Sequence, residues 1–475
     1  MIHTLHIQNY RSIREMSLEL EQLNIVFGPN GTGKSNIYKA IHLIHSAAQG
    51  QFSQALANEG GILKVFWAGK TRSDQLRRMN LAGETETYEY ELQVGFVEKL
   101  PYPSQFQLDP VIKEESLWLS GQHRRPSSQL MKRKNQAVFL NNVHHEKVTH
   151  SGTLYENESV FGQLGEPHLY PEVSQMRESL RNWRFYHEFS VSSGSAIRAP
   201  QVGFRSPVLA SDGANLAAAF QTIVEIGDEL LLIRILDQAF PGCVFYSDNT
   251  GGRFRMMMQR EGLSRPLEPA EFSDGTLRFL CLAVALLSPR PPAFIALNEP
   301  ENSLYPQMLP ALASLIAEAS RYSQIWLTSH SPELAQLIEK HRSFSLYQLS
   351  MVEGETRMER LGECISFMQS PLSRSPSTTK MISVGIYLRR ILRSRQIINT
   401  ANIVGGQHLS DGLARIKFMD DIRQFVMQQF SATRAARSDE ECMECLKNIR
   451  AENESLLEQS RMLRSRTAQL FAQIN

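Results

Sequence analysis

The chain has 475 residues, 42% hydrophobic and 21% charged, a globular composition that excludes a fibre, a wholly disordered chain and a single small domain. Fifty Lys and Arg stand against 49 Asp and Glu, a formal charge of +1, so any nucleic-acid surface has to be a local patch.

The opening Met1-Ile2-His3-Thr4-Leu5 lacks the basic start and apolar stretch of a secretory signal. Strand-like runs follow at residues 4–7, 16–20 and 23–27, then a helix from Gly33, then period-two alternation over 87–96. From about 100 to 160 the texture turns polar. Arg124, Arg125, Lys132, Arg133 and Lys134 cluster there, suiting either a phosphate backbone or a solvated basic hairpin, the latter being the simpler reading. In the same stretch His145 and His150 miss the spacing of a zinc protease and are read as loop histidines. Residues 165–240 are expected to be helical, and 243–246 and 254–258 to form a hairpin around a Gly-Gly turn. From 271 to about 350 helices and strands alternate as in parallel βαβ units. The longest apolar run, 279–287, is far shorter than the ~20 residues needed to cross a bilayer.

Between the third strand and the first helix lies Gly28-Pro29-Asn30-Gly31-Thr32-Gly33-Lys34-Ser35, which fits G-x-x-x-x-G-K-[ST] at every fixed position and is followed by Asn36. Glycines let consecutive backbone N–H groups curl around an anion, and the helix N-terminus adds partial positive charge. Lys34 is expected on the β and γ phosphates of ATP, and the Ser35 hydroxyl on Mg²⁺.

Some 240 residues later, Phe272-Ser273-Asp274-Gly275-Thr276 precedes an apolar helix that Ser273 can cap, a second phosphate cradle. An apolar strand then ends in Asn298-Glu299-Pro300-Glu301, and another ends at Ser329-His330-Ser331. Strand C-terminal ends are where α/β sheets bind ligands.

These motifs, in this order and with Asn9-Tyr10-Arg11-Ser12 before them, resemble the ABC-type P-loop ATPases of the RecF, SMC and OLD group, including small RecF-like ATPases often found in anti-phage defence modules. The resemblance implies an α/β fold with an ABC-type P-loop NTPase head. It implies that Glu299 polarises the attacking water and that His330 senses the γ phosphate. Ser273, Asp274 and Gly275 would then meet nucleotide held by another subunit, making a homodimer or higher homo-oligomer. Arg11 resembles a basic residue that approaches nucleotide or DNA in relatives. One departure stands out: Asn298 occupies the place of an acidic residue that holds the magnesium shell, and contributes an amide oxygen without charge. The glutamine loop of such ATPases has no assigned position here.

The expected organisation is an ATPase lobe over 1–100, an inserted helical and hairpin region over 101–270, a second ATPase lobe over 271–360 and a mainly helical C-terminal extension over 361–475. The extension opens with a Ser/Pro-rich stretch and carries a net charge of +5, against −4 for the rest of the chain. Arg389, Arg390, Arg393 and Arg395 lie among apolar residues there, which suits a docking module. Its Ile449, Leu456, Leu463 and Leu470 recur every seven residues, but polar residues between them favour an amphipathic helix over a coiled coil. The five cysteines, at 243, 281, 364, 442 and 445, are too scattered for a disulfide framework, and Cys442 with Cys445 lacks the second pair of a zinc site. The functional expectation is a cytoplasmic, Mg-ATP-driven switch in a DNA-related or defence complex, with an effector protein such as a nuclease, or DNA, as partner and no membrane. The alternatives are a nucleotide-binding scaffold with little hydrolysis and a transporter ATPase subunit.

Overall fold

The computed structural model describes residues 1–69, 78–97, 105–106 and 108–364. The Ser/Pro-rich stretch, the arginine string, the seven-residue repeat and Cys442 with Cys445 lie outside the described residues.

In chain order, β1 (Ile2–Tyr10), β2 (Ile13–Glu19) and β3 (Leu23–Phe27) lead into α1 (Lys34–Gln49), α2 (Phe52–Asn58) and α3 (Ile62–Val65). A run of strands follows: β4 (Met79–Thr85), β5 (Tyr88–Phe96), β6 (Pro110–Leu119), β7 (Gln129–Lys134), β8 (Ala137–Asn141) and β9 (Lys147–Thr149). Next come α4 (Val160–Gln163), α5 (Pro171–Arg181), β10 (Arg184–Tyr186), β11 (Gln201–Val202), α6 (Leu216–Ile226), α7 (Glu229–Ala239) and the hairpin β12 (Cys243–Thr250) and β13 (Arg253–Arg260). The chain then alternates α8 (Asp274–Leu286), β14 (Phe294–Asn298), α9 (Leu309–Ala319), β15 (Gln324–Ser329) and α10 (Pro332–Glu339). It closes on the hairpin β16 (Phe344–Val352) and β17 (Glu355–Cys364).

Among the described residues the strands form three sheets. One has the order β2-β1-β4-β5-β6-β7-β8-β9, the second β10-β14-β15-β3-β16-β17 and the third β11-β13-β12. In the second sheet β10, β14, β15, β3 and β16 pair in parallel, so their C-terminal ends share one edge. Both faces of this sheet are covered. Val26, Ala296, Trp326 and Tyr347 pack toward the core that includes α1, whereas Ile25, Leu297, Ile325 and Leu327 pack toward α8, α9 and α10. Period-two alternation with both sets apolar makes the near-continuous hydrophobic strands of a parallel sheet. α1 sits against it because Ile37, Ala40, Ile41 and Ile44 recur on one helical face and are at most 1% exposed.

β6 pairs with β5 from Tyr88↔Leu119 to Phe96↔Pro110, so one sheet has strands on both sides of residue 100. The polar stretch hides strands because polar side chains alternate with buried ones, as Lys132 and Lys134 do with Met131 and Arg133 on β7. The basic run is also not a single patch. Arg133 is fully buried and donates to the carbonyls of Asn135, Tyr155 and Glu158 at 2.8, 2.8 and 2.6 Å. Arg124 pairs with Glu89 and Glu91 and lies 4.5 Å over the Trp118 ring.

α1 is held to α5 by His45, whose Nδ1 lies 2.7 Å from the Leu180 carbonyl. A carbonyl can only accept, so that nitrogen carries a proton. Burial pushes its pKa down to about 4, the Leu180 contact opposing the shift only in part. A depressed folded pKa contributes stability that is complete above the unfolded value near 6.5 and is lost as pH falls toward 4. We expect the urea midpoint to fall over that window, with a loss on the order of 3 kcal/mol once His45 is charged in both states. His45→Gln should flatten the decline in part, since burial lowers His42 as well. Equal slopes in wild type and variant would show that His45 does not drive it.

Candidate functional site

The phosphate loop runs from the end of β3 to the start of α1, and its shape depends on glycine. Gly33 caps α1 with φ 100°, a left-handed conformation, and a Cβ there would lie 2.2 Å from Thr356 Oγ1. Gly28 is closed in as well, since a Cβ would meet Thr32 Oγ1 at 2.6 Å and Leu349 Cβ at 2.9 Å. Pro29, Asn30, Gly31 and Ser35 are exposed, Gly31 with φ 83°. Thr32 is buried and donates to Pro29 O at 2.8 Å. Lys34 is 5% exposed, with Nζ 2.5 Å from Gly28 O and 3.3 Å from Pro29 O. The ammonium thus rests inside the loop.

The ends of β14 and β15 bring the acidic and imidazole groups to the same edge. Asn298 Oδ1 accepts from Thr328 Oγ1 at 2.7 Å, tying the two strand ends together. Glu299 sits at φ 48°, a strained conformation for a residue with a side chain, held by its N–H to Thr328 O at 2.9 Å and by Asn302 Nδ2 donating to Oε2 at 2.8 Å. Its Oε1 lies 3.8 Å from Lys34 Nζ and 3.5 Å from His330 Nδ1. Lys34, Glu299 and His330, scattered over almost 300 positions, therefore converge, with the ammonium and the imidazole both within 4 Å of one Glu299 oxygen.

The segment Ser273 to Gly275 is built differently. Ser273 Oγ accepts from Thr276 N at 3.1 Å and caps α8, and a Cβ on Gly275 would meet Ser303 O at 2.9 Å. Asp274 pairs with Arg198 at 2.6 Å. Among the described residues, the polar partners of Ser273 and Asp274 belong to this segment and Arg198, not to the phosphate loop.

Four residues at this edge escaped the sequence reading. Thr356 on β17 donates to Thr32 O at 3.0 Å and shares a 2.6 Å hydrogen bond with Ser12 Oγ, which also accepts from Asn36 Nδ2 at 2.7 Å. The amide of Asn36 thus braces the loop from outside. Arg198 donates to Val191 O, Pro269 O and Phe272 O as well as to Asp274, fastening the segment before α8. Glu301 binds the end of β15. Ser12 carried a signal as part of the Asn9–Ser12 motif and Glu301 as part of the Asn298–Glu301 motif; Thr356 and Arg198 depend on chain crossings that no local pattern announces. Arg11, in contrast, commits its guanidinium to Glu59, with Nη2 2.7 Å from Oε2.

A groove of about 1010 Å³ opens beside Ser35, lined also by Tyr38, His42, Arg184, His187 and Asp212. His187 and Glu188 follow β10, the strand next to β14, in the part of the chain where no glutamine loop could be assigned. Among the described residues no group of three or more His, Cys, Asp and Glu side chains is arranged to hold a metal. Among the described residues, no helix is long and apolar enough to cross a membrane.

The AAA domain family described as "AAA domain, putative AbiEii toxin, Type IV TA system" matches residues 23–335, which hold the phosphate loop, β14 and β15. A curated relative, "Uncharacterized protein MJECL10" of Methanocaldococcus jannaschii, is 51% identical over 51 residues, which is 10% of this chain and 23% of that protein. The chain thus spans about a quarter of that relative's length. Solved SMC head domains are similar at low identity. One is bound to the C-winged helix domain of ScpA (14% identity, TM-score 0.43, 76% of this chain and 98% of that one). Another, from Thermotoga maritima, has 13% identity and a TM-score of 0.35, over 76% of this chain and 99% of that one. Likeness of this degree is too distant to transfer partners or activity.

Proposed function

The chain belongs to this AAA domain family of P-loop ATPases, and from that premise we propose that it binds and hydrolyses Mg-ATP at the edge formed by β3, β14 and β15, as a nucleotide-driven switch. The observation that carries the proposal is the convergence of Lys34, Glu299 and His330 beside a glycine-shaped phosphate loop. When bound, Mg²⁺ would draw charge from the β and γ phosphates, held through the Ser35 hydroxyl with Asn298 accepting from its hydration shell. The backbone N–H groups of residues 30–35 cradle the phosphates, and Lys34 leaves its carbonyl partners for the β and γ oxygens. Glu299 orients the attacking water and accepts its proton at a carboxylate oxygen, while His330 contacts the γ phosphate.

The segment Ser273 to Gly275 completes the site from a second copy of the chain. The polar partners of Ser273 and Asp274 within one copy leave the exposed start of α8 directed elsewhere than to the phosphate loop, which favours this reading. Glu299→Gln, which keeps the shape but removes the proton acceptor, is expected to hold the closed pair together. Size-exclusion chromatography with light scattering should show a species of twice the mass with ATP and Mg²⁺. A monomer under those conditions would refute closure around nucleotide.

Asn298 favours slow turnover through weak metal binding. Asn298→Asp is expected to reduce the Mg²⁺ needed for half-maximal phosphate release by about tenfold, since one added charge-assisted contact contributes roughly 1.5 kcal/mol. An unchanged magnesium dependence would place Asn298 outside the metal shell. A second reading, a nucleotide-binding scaffold with little hydrolysis, rests on the same neutral amide, and phosphate release by the wild type decides between them. Action within a DNA-related or defence complex, with an effector protein as partner, is the biological setting we propose; co-purification from the native host tests it.

A further inference from the structure

Glu301 lies two residues beyond Glu299 and is only 9% exposed. Its Oε1 accepts from Ser329 Oγ at 2.6 Å and from the His330 backbone N–H at 3.1 Å. Ser329 is fully buried, and its Oγ in turn accepts from the Ser331 N–H at 3.0 Å, while Ser331 Oγ caps α10 by accepting from Leu334 N at 3.2 Å. One carboxylate oxygen therefore ties the turn after β14 to the end of β15 and the start of α10. The other, Oε2, is buried and accepts no hydrogen bond from any described residue.

The turn that Glu301 anchors is strained at two non-glycine positions, Glu299 with φ 48° and Ser303 with φ 65°. Left-handed backbone at such residues persists only where surrounding contacts over-determine it. Those contacts are backbone hydrogen bonds from Glu299 N to Thr328 O, Asn302 N to Glu299 O and Leu304 N to Glu301 O, with the Asn302 side chain donating to Glu299 and the Glu301 carboxylate accepting from Ser329 and His330. The His330 side chain is 46% exposed, so its place is set through its backbone. Hydrogen bonds to a charged acceptor are about twice as strong as neutral ones, which suits a carboxylate to this task. Buried acceptors without partners are few in native proteins, and Oε2 costs more than a purely packing residue would.

We propose that Glu301 is a positioning residue for catalysis, holding His330 and Glu299 at their mutual distance by fixing the His330 main chain and the strained turn. The inference rests on the reading of Glu299 and His330 given above. Removing the carboxylate would let the turn relax and the His330 backbone drift, leaving the phosphate loop untouched. The effect therefore falls on turnover and not on nucleotide affinity.

The test is a double-mutant cycle on the full chain, with phosphate release and ATP affinity measured for wild type, Glu301→Ala, Glu301→Gln, His330→Ala and Glu301→Ala combined with His330→Ala. Glu301→Ala should lower kcat by about 10- to 100-fold, the usual cost of losing an orienting partner, with ATP affinity changed by less than about threefold. Glu301→Gln keeps an oxygen for both donors and should lose less than about fivefold. Once His330 is alanine, Glu301→Ala should add less than about twofold, because residues acting as a unit are not additive. Full multiplication of the two effects, or a parallel loss of affinity, would overturn the role. A wild-type chain that binds ATP but releases no phosphate would instead sink the catalytic reading, and this role with it. Should Glu301→Ala fail to fold, Ser329→Ala removes one donor to the same oxygen and carries the same cycle.

Discussion

Lys34→Ala is expected to weaken ATP binding by about two orders of magnitude or more while leaving the fold intact. The Lys34 ammonium is the side-chain cation nearest the loop carbonyls, 2.5 Å from Gly28 O, and it is 5% exposed, so solvent screens it little. A hydrogen bond to a charged group contributes roughly 1.5 to 3 kcal/mol, and Lys34 would serve two phosphates at once. The backbone N–H groups of the loop survive the substitution, so residual affinity is expected rather than none. Titration with a fluorescent ATP analogue measures the loss, and the thermal transition followed by circular dichroism verifies the fold. Wild-type affinity in this variant would remove the phosphate loop from the nucleotide site and, with it, the proposed function.

The largest effect on stability is expected from Arg133→Ala. Both Arg133 and Glu115 have fully buried side chains, with Nη1 and Oε2 4.0 Å apart. Burial pushes the Glu115 carboxyl above its usual range, and Arg133 is the foremost of the groups pulling it back. Alanine would remove hydrogen bonds to three backbone carbonyls, of which those of Tyr155 and Glu158 keep Gln163 Nε2 as a donor, and strip the buried carboxylate of its cation, though Tyr90 Oη, Ser159 Oγ and Val160 N would still donate to it. Breaking such a buried pair costs about 3 to 5 kcal/mol. A pH signature accompanies the loss. Without Arg133 the folded pKa of Glu115 rises further, and a raised pKa contributes stability as pH falls toward the unfolded value of 4.5. The deficit against wild type should therefore shrink between pH 7 and pH 5 in parallel urea titrations. A melting temperature within a degree of wild type would mean that residues 129–134 are the solvated hairpin first expected.

The two predictions differ in how far the sequence announced them. Lys34 stands in a motif whose chemistry is local: eight consecutive residues between an apolar strand and an amphipathic helix determine both the loop and its ligand class. The same holds for β3, expected and found over Leu23–Phe27, for the Ser273 cap of α8, and for the alternation from α8 to α10. Arg133 was misplaced because lysines and arginines in a polar run carry no mark of which one points inward. That depends on the register of β7 against β6 and on Glu115 lying beneath.

By itself, then, the sequence determined the phosphate loop, the strand and helix that frame it, the acidic and histidine strand ends, and the membership of a P-loop ATPase class, because each is written in neighbouring residues with a fixed backbone period. Only the tertiary structure decided which of these groups meet. The parallel order β14-β15-β3 brings Glu299, His330 and Lys34 within 4 Å steps of one another. Other chain crossings carry Thr356 across more than 320 positions onto the phosphate loop, turn Arg11 to Glu59, and join Glu301 to the backbone of His330. Hydrogen bonds and ion pairs act over a few ångströms regardless of sequence separation, so their partners are set by strand order and register, quantities that the whole core decides and no single segment contains.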